Sequence, residues 1–235
     1  MITVRRADNR QPDGNNKQVG WHSLISASGE DRPFDGFDAL EALNENVLAP
    51  GAVAPQQPRH DAEIVTCVGE GTLAYEDSTG LAGVIQTGEV QRRTAARGIS
   101  FSERNASRAD CAHIFQIWLR PSELTMEPSC EQNRFSIAER RRGFCLLASP
   151  DARKGSLKLH LDASVYSAVL YPGKHLVHEL SPGRSAWLHV MQGGVTLGEV
   201  NLTTGDGAGV KDERAVSLTA GEETEVLLLE FEDKS

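Results

Sequence analysis

Between Arg59 and Cys67 the chain gathers a guanidinium, an imidazole, two carboxylates and a thiol: Arg59, His60, Asp61, Glu63 and Cys67. His60 and Glu63, joined by the later Glu103, are residue types that hold a divalent iron, copper, nickel, manganese or zinc ion. A Cys67 thiol beside Arg59 or His60 would ionise more readily and answer to oxidants; as a small apolar residue in a strand it would instead be inert packing. A second run, His175-Leu176-Val177-His178-Glu179, also looks like a metal cluster. In a regular strand residues three apart fall on opposite faces, so these two histidines cannot share an ion and read as structural or surface residues. Gly205-Asp206-Gly207-Ala208-Gly209 has the composition of a nucleotide loop but not its strand-turn-helix setting, and reads as a β-turn. Arg140-Arg141-Arg142, with Arg134 nearby, reads as a solvated linker patch, a protein or nucleic-acid contact being the alternative.

The elements that must position these groups are strands. Ile64 to Val68 is an apolar, β-prone run; Gly69-Glu70-Gly71 turns it, Leu73-Ala74-Tyr75 resumes, and Asp77-Ser78-Thr79-Gly80 turns again, an antiparallel meander. Val19 to Ile25, Gly83 to Ile85, Thr87 to Gln91 and His113 to Leu119 continue in the same manner. Asp38 to Leu43 carries a helical spacing at Leu40 and Leu43. Pro121 to Gly143, with two prolines, a charged run and little alternation, reads as an inter-domain connection, and its Cys130 as the most exposed thiol. Beyond it Leu157 to Leu161 alternates, leucines inward and Lys158 and His160 outward. Tyr166 to Tyr171, Leu176 to Leu180, Ala186 to Gln192, Val195 to Val200 and Glu225 to Phe231 follow as short strands. Many short strands in two halves predict an all-β chain of two small barrels or jelly rolls, residues 1–128 and 129–235.

The 235 residues suffice for two small cores without disulfides. A net charge of −9 argues against a broad electrostatic grip on nucleic acid or an anionic membrane. No apolar run reaches transmembrane length, and the first eight residues lack the apolar core of a signal peptide. Cys67, Cys111, Cys130 and Cys145 form no Cys-x-x-Cys pair and are expected to be reduced thiols in the cytoplasm.

Several blocks in order resemble the pirin-like bicupins over nearly the whole chain. The family's first block reads His-Pro-His, three residues, Glu-Ile-Val-Thr-Tyr-Val and a Glu-Gly turn. Here it is Gln57-Pro58-Arg59, then Glu63-Ile64-Val65-Thr66-Cys67-Val68 and Glu70-Gly71. The second, Thr-Gly-Ile-x-His-Ser-Glu, is matched by Arg97-Gly98-Ile99-Ser100-Phe101-Ser102-Glu103, and Gln116-Ile117-Trp118 and Gly205-Asp206-Gly207-Ala208 with Asp212-Glu213 match later blocks. The resemblance implies a bicupin fold, a strand rather than a helix at Phe34 to Pro50, and a first-domain cavity. It also implies a metal held by three histidines and a glutamate. Those positions are occupied here by Gln57, Arg59, Phe101 and Glu103, so only Glu103 keeps the family residue. Arginine brings a fixed positive charge to the place of a cation.

The expectation is therefore a pirin-like bicupin with a degenerate metal site and no cofactor, leaning away from catalysis. It would be a cytoplasmic protein that binds a small molecule in the N-terminal cavity and acts in redox response or regulation. Arg59 is expected to replace the metal electrostatically by pairing with a buried Glu103, with His60, Glu63 and Cys67 as further pocket residues. The alternative implied by the resemblance is a metal-dependent quercetin 2,3-dioxygenase-like enzyme using His60, Glu63 and Glu103. A third reading is a transcriptional co-regulator that contacts a protein partner through its surface.

Overall fold

The computed structural model describes residues 1–15, 17–25, 37–59, 61–95, 98–122 and 127–233, with side chains except at 13–15, 24–25 and 55–59. The chain divides into two compact units, Gln11–Arg134 and a second one built from Met1–Arg10 with Phe135–Ser235. The expected boundary at 128/129 shifts for two reasons. Ile2–Arg5 (β1) pairs into the C-terminal unit, and the segment after residue 128 is still a strand of the N-terminal one.

The N-terminal unit contains Gln11–Asn15 (β2), Gln18–Ile25 (β3), Leu40–Leu48 (β4), Val53–Arg59 (β5), Glu63–Glu70 (β6), Thr72–Asp77 (β7), Ala82–Gln86 (β8), Glu89–Thr94 (β9), Ile99–Asn105 (β10), Ala112–Leu119 (β11) and Ser129–Arg134 (β12). They form a seven-stranded sheet, β12-β9-β6-β11-β4-β3-β2, and a four-stranded sheet, β5-β10-β7-β8. The helical spacing at Leu40 and Leu43 yields to pairing on both sides, since β4 is laddered to β3 and β11. Gly71 makes the β6–β7 turn at φ +82°, where an added Cβ would stand 2.7 Å from the Cys111 carbonyl oxygen. Two apolar clusters join the sheets. Leu48, Val68, Leu73, Ile85 and Ile114 form one; Ala62, Ile64, Ala95, Ile99 and Phe101 form the other, with Trp118 against it. Each fully buried large apolar side chain contributes about 1.5–3 kcal/mol, so these clusters hold the sheets face to face.

The longer segment of the C-terminal unit opens near a short helix, Ile137–Arg142 (α1), where a plain connection was expected. Ser136 and Glu139 form a capping box, each side chain bonded to the other's backbone N–H. The arginine run is not simply solvated: Arg140 pairs with Glu225 and Arg141 with Glu223. The strands are Cys145–Ser149 (β13), Leu157–Lys158 (β14), Ala163–Leu170 (β15), His175–Glu179 (β16), Arg184–Gln192 (β17), Gly194–Leu197 (β18), Val200–Thr203 (β19), Gly207–Val210 (β20), Ala215–Ala220 (β21) and Thr224–Glu232 (β22). Their sheets run β1-β20-β17-β22-β15-β13-β14 and β16-β21-β18-β19 around one apolar core that includes Leu188, Val190, Leu218 and Leu228. The glycine-rich run at 205 is a turn that leads into β20. The two histidines of β16 diverge as expected, His175 to Thr219 and His178 to Glu230. Among the described residues no helix is long and apolar enough to cross a membrane.

Candidate functional site in the N-terminal barrel

Strand alternation decides what enters the N-terminal barrel. On β10 the positions at 99, 101, 103 and 105 are buried while Ser102 and Arg104 face outward. Across from β10, Phe101 stands opposite Asp77 and Glu103 opposite Tyr75. On the other side the backbone of Gln57 pairs with Phe101 and that of Arg59 with Ile99. Between Phe101 and Glu103 the partner strand β5 takes one extra residue, a bulge that sets Ala54 opposite Glu103. The next position in that row is Gly83, opposite Tyr75, and the ring needs the space: a Cβ there would lie 2.6 Å from the Tyr75 hydroxyl.

The facing sheet supplies the partners. From β11, the Gln116 amide nitrogen donates to both oxygens of Glu103 at 3.0 Å, and Glu103 is 8% exposed. From β9, Arg93 donates to Asp77 Oδ2 at 3.3 Å and to Gln91 Oε1 at 3.2 Å. Its guanidinium carbon lies 4.8 Å from the Phe101 ring centroid and 5.0 Å from that of Tyr75. Asp77 Oδ1 is taken by the Thr79 and Leu81 N–H groups and the Thr79 hydroxyl, so this carboxylate ties the β7–β8 turn to the buried cation. Burial pushes the Tyr75 phenol up and the Cys130 thiol up, the latter in spite of Arg93 and Arg92 nearby.

These placements correct part of the sequence reading. Glu63 and Cys67 share strand parity with Arg59 in the sequence, but they do not face the barrel clusters. Asp61, at φ +53°, breaks the chain between β5 and β6, and parity does not carry across a reversal. On β6 it is Ile64 and Val68 that pack in the barrel clusters. Glu63 lies on the other face, where it accepts from the Thr94 hydroxyl at 2.7 Å; the same hydroxyl and Ser129 Oγ take Arg92. A set of His60, Glu63 and Glu103 is therefore not assembled through Glu63. His60 and the side chains of Gln57 and Arg59 lie outside the described residues, as does any Arg59–Glu103 pair. Cys67 is buried, and Cys130 is half-buried while Cys111 is exposed, the reverse of the expected order. Raised thiols at Cys130 and Cys145 do not favour the redox reading at those two positions.

Sequence reasoning missed Asp77, Arg93, Gln91 and Gln116. One signal was available: Gln91-Arg92-Arg93-Thr94 puts two charges side by side in a strand, and neighbouring strand positions point to opposite faces, so each face receives one arginine. Both are almost fully buried.

The metal implied by the resemblance can be tested against this donor set. On this face of the barrel the described side chains include the Gln116 amide on Glu103, the Phe101 ring, the Tyr75 phenol, the Arg93 guanidinium and the Asp77 carboxylate, which is engaged on both oxygens. Divalent transition metals want imidazole, thiolate or further carboxylates, and a guanidinium never ligates. Among the described residues no three of His, Cys, Asp and Glu group to hold an ion. The described residues do not fit the group.

Comparison with known proteins places the chain. A family model described as pirin matches residues 8–119, and one described as the quercetinase C-terminal cupin domain matches 146–231. A protein of Escherichia coli K12 named quercetin 2,3-dioxygenase is 37% identical over 98% of this chain and 99% of its own. The crystal structure of YhhW from Escherichia coli superposes with a TM-score of 0.93 at 37% identity, covering 99% of this chain and 98% of that one. The structure of the bacterial pirin YhhW from Escherichia coli in complex with nickel(II) gives 0.92 at 36% identity, covering 99% and 100%. The fold, the order of the blocks and these similarities agree: the chain belongs to the pirin family of bicupins.

Proposed function

We propose that this chain acts on flavonols of the quercetin type in its N-terminal barrel, as a dioxygenase of the reaction class for which its relatives are named. The observation that carries this reading is the 37% identity, over 98% of the chain, to a protein named quercetin 2,3-dioxygenase. The barrel chemistry accords with it. Glu103, aimed by Gln116, is an acceptor for a phenolic hydroxyl and a base for its proton. Phe101 and Tyr75 supply aromatic surface for a flat ring system. The nickel(II) complex of the 36% identical relative makes one divalent metal part of the question, with Glu103 as the retained family position. Four cysteines held as thiols rather than disulfides support a cytoplasmic setting.

The test is a quercetin titration without oxygen, then aeration, on protein as purified and after addition of iron, nickel, copper, manganese or zinc. Binding followed by bleaching of the flavonol band is expected. No binding under any condition overturns the reading.

A second reading, binding without turnover in a regulatory protein, is favoured by Phe101, a ring without a lone pair at a family ligand position. It predicts binding of quercetin with no bleaching in the presence of any of these metals.

A further inference from the structure

The disagreement between the family's metal and this chain's donor set has a specific replacement. Arg93 enters the barrel from β9 with a side chain 3% exposed, and four groups hold it: Asp77 and Gln91 by hydrogen bonds, and the Phe101 and Tyr75 rings, over which its guanidinium lies. A guanidinium does not deprotonate in proteins, so this is a permanent buried cation. It stacks on Phe101, one of the four family positions, and Glu103 follows two residues along the same strand face. Asp77 is engaged on both oxygens, by Arg93 and by its own turn, and is not free to ligate an ion.

We propose that the Arg93 guanidinium has taken the place of the divalent ion in the N-terminal barrel, a fixed cation between Phe101 and Tyr75 that makes this member metal-independent and serves as the positive element for a planar, hydroxylated aromatic ligand. The ligand half rests on the flavonol reading above; the metal half does not. Two cations in one low-dielectric cavity repel, so Arg93 opposes metal uptake even where ligands are restored. The positive charge of Arg93 is balanced by Asp77.

Nickel(II) uptake is measured on the full chain by elemental analysis and calorimetry. Wild type is expected to retain no stoichiometric nickel. In a Gln57→His/Arg59→His/Phe101→His background, adding Arg93→Met is expected to tighten nickel binding at least tenfold. Adding Arg93→Gln, a polar replacement in case the methionine does not fold, is expected to do the same. One nickel per chain in wild type overturns the proposal, as does equal affinity with and without Arg93. For the ligand half, metal-free wild type is titrated with quercetin beside Arg93→Gln, and a loss of at least fivefold in affinity is expected. Equal affinity overturns that half. Failure of metal-free wild type to bind quercetin removes the ligand half and leaves the nickel result standing.

Discussion

Gln116 donates one amide nitrogen to both oxygens of Glu103, at 3.0 Å each, and so bridges the two sheets of the N-terminal barrel. A buried carboxylate oriented in this way keeps its lone pairs aimed at a known place instead of rotating to find water.

Removing that amide should therefore cost stability as well as alignment. Gln116→Leu is nearly isosteric, yet it withdraws a hydrogen bond from a buried charge, worth about 1–3 kcal/mol. Thermal unfolding should fall by several degrees, and quercetin affinity should fall with it. Unchanged melting would mean that Glu103 is held by other groups.

The Arg93–Asp77 pair invites a double-mutant cycle. Asp77→Ala strands a buried guanidinium and frees the turn at Thr79 and Leu81, so urea unfolding should show a loss of about 3–5 kcal/mol. Arg93→Met with Asp77→Leu removes both charges and should recover the part due to the stranded cation. If the double variant is as weak as Asp77→Ala, the turn and not the charge accounts for the loss.

Acid should weaken the C-terminal unit. Burial alone would raise Asp206, but the Thr203 and Ala7 N–H groups and Arg6 outweigh it and hold the carboxyl below its ordinary value. Burial likewise opposes Glu230, and His178 and Arg184 outweigh it. Both folded-state values are depressed, so the unfolded chain binds protons first on acidification. The stabilisation is complete above the ordinary carboxylate range of about pH 4 and drains away as pH drops through the depressed values. Urea midpoints measured from pH 7 to pH 3 should fall at the acid end, and Asp206→Asn should flatten that fall. An identical profile in the variant would refute the assignment.

At Gly207 a side chain has no room, since an added Cβ would overlap the Trp187 ring, which is buried in the same unit. Gly207→Ala should cost about 1–3 kcal/mol by overpacking, read from denaturant unfolding. Trp187→Phe in the same background should return part of it.

The fold was legible because alternation survives in single strands. Leu157, Leu159 and Leu161 are buried as their spacing says, although the strand there stops at Lys158, and Leu40–Leu48 became a strand against its local helical spacing because both its edges are paired. The site was legible only in part. Phe101 and Glu103 fell where strand pairing can be carried over from blocks of sequence, and the backbone of Gln57 stands opposite Phe101 in register. Glu63 and Cys67 did not, because parity counted from Arg59 does not carry past Asp61, which sits in the left-handed region that aspartate enters more readily than most residues. Arg93 was hidden by its own charge. A polar strand reads as surface until its partners, Asp77 and the two rings, arrive from elements distant in the chain.

The pairing of β1 with β20 has a consequence for synthesis on the ribosome. Ile2 is made more than two hundred residues before Val210, its neighbour in the sheet. Gln11–Arg134 is continuous and can close as soon as it has emerged, whereas Met1–Arg10 of the other unit must wait, unpaired in its sheet, until the strand at Gly207–Val210 has been made.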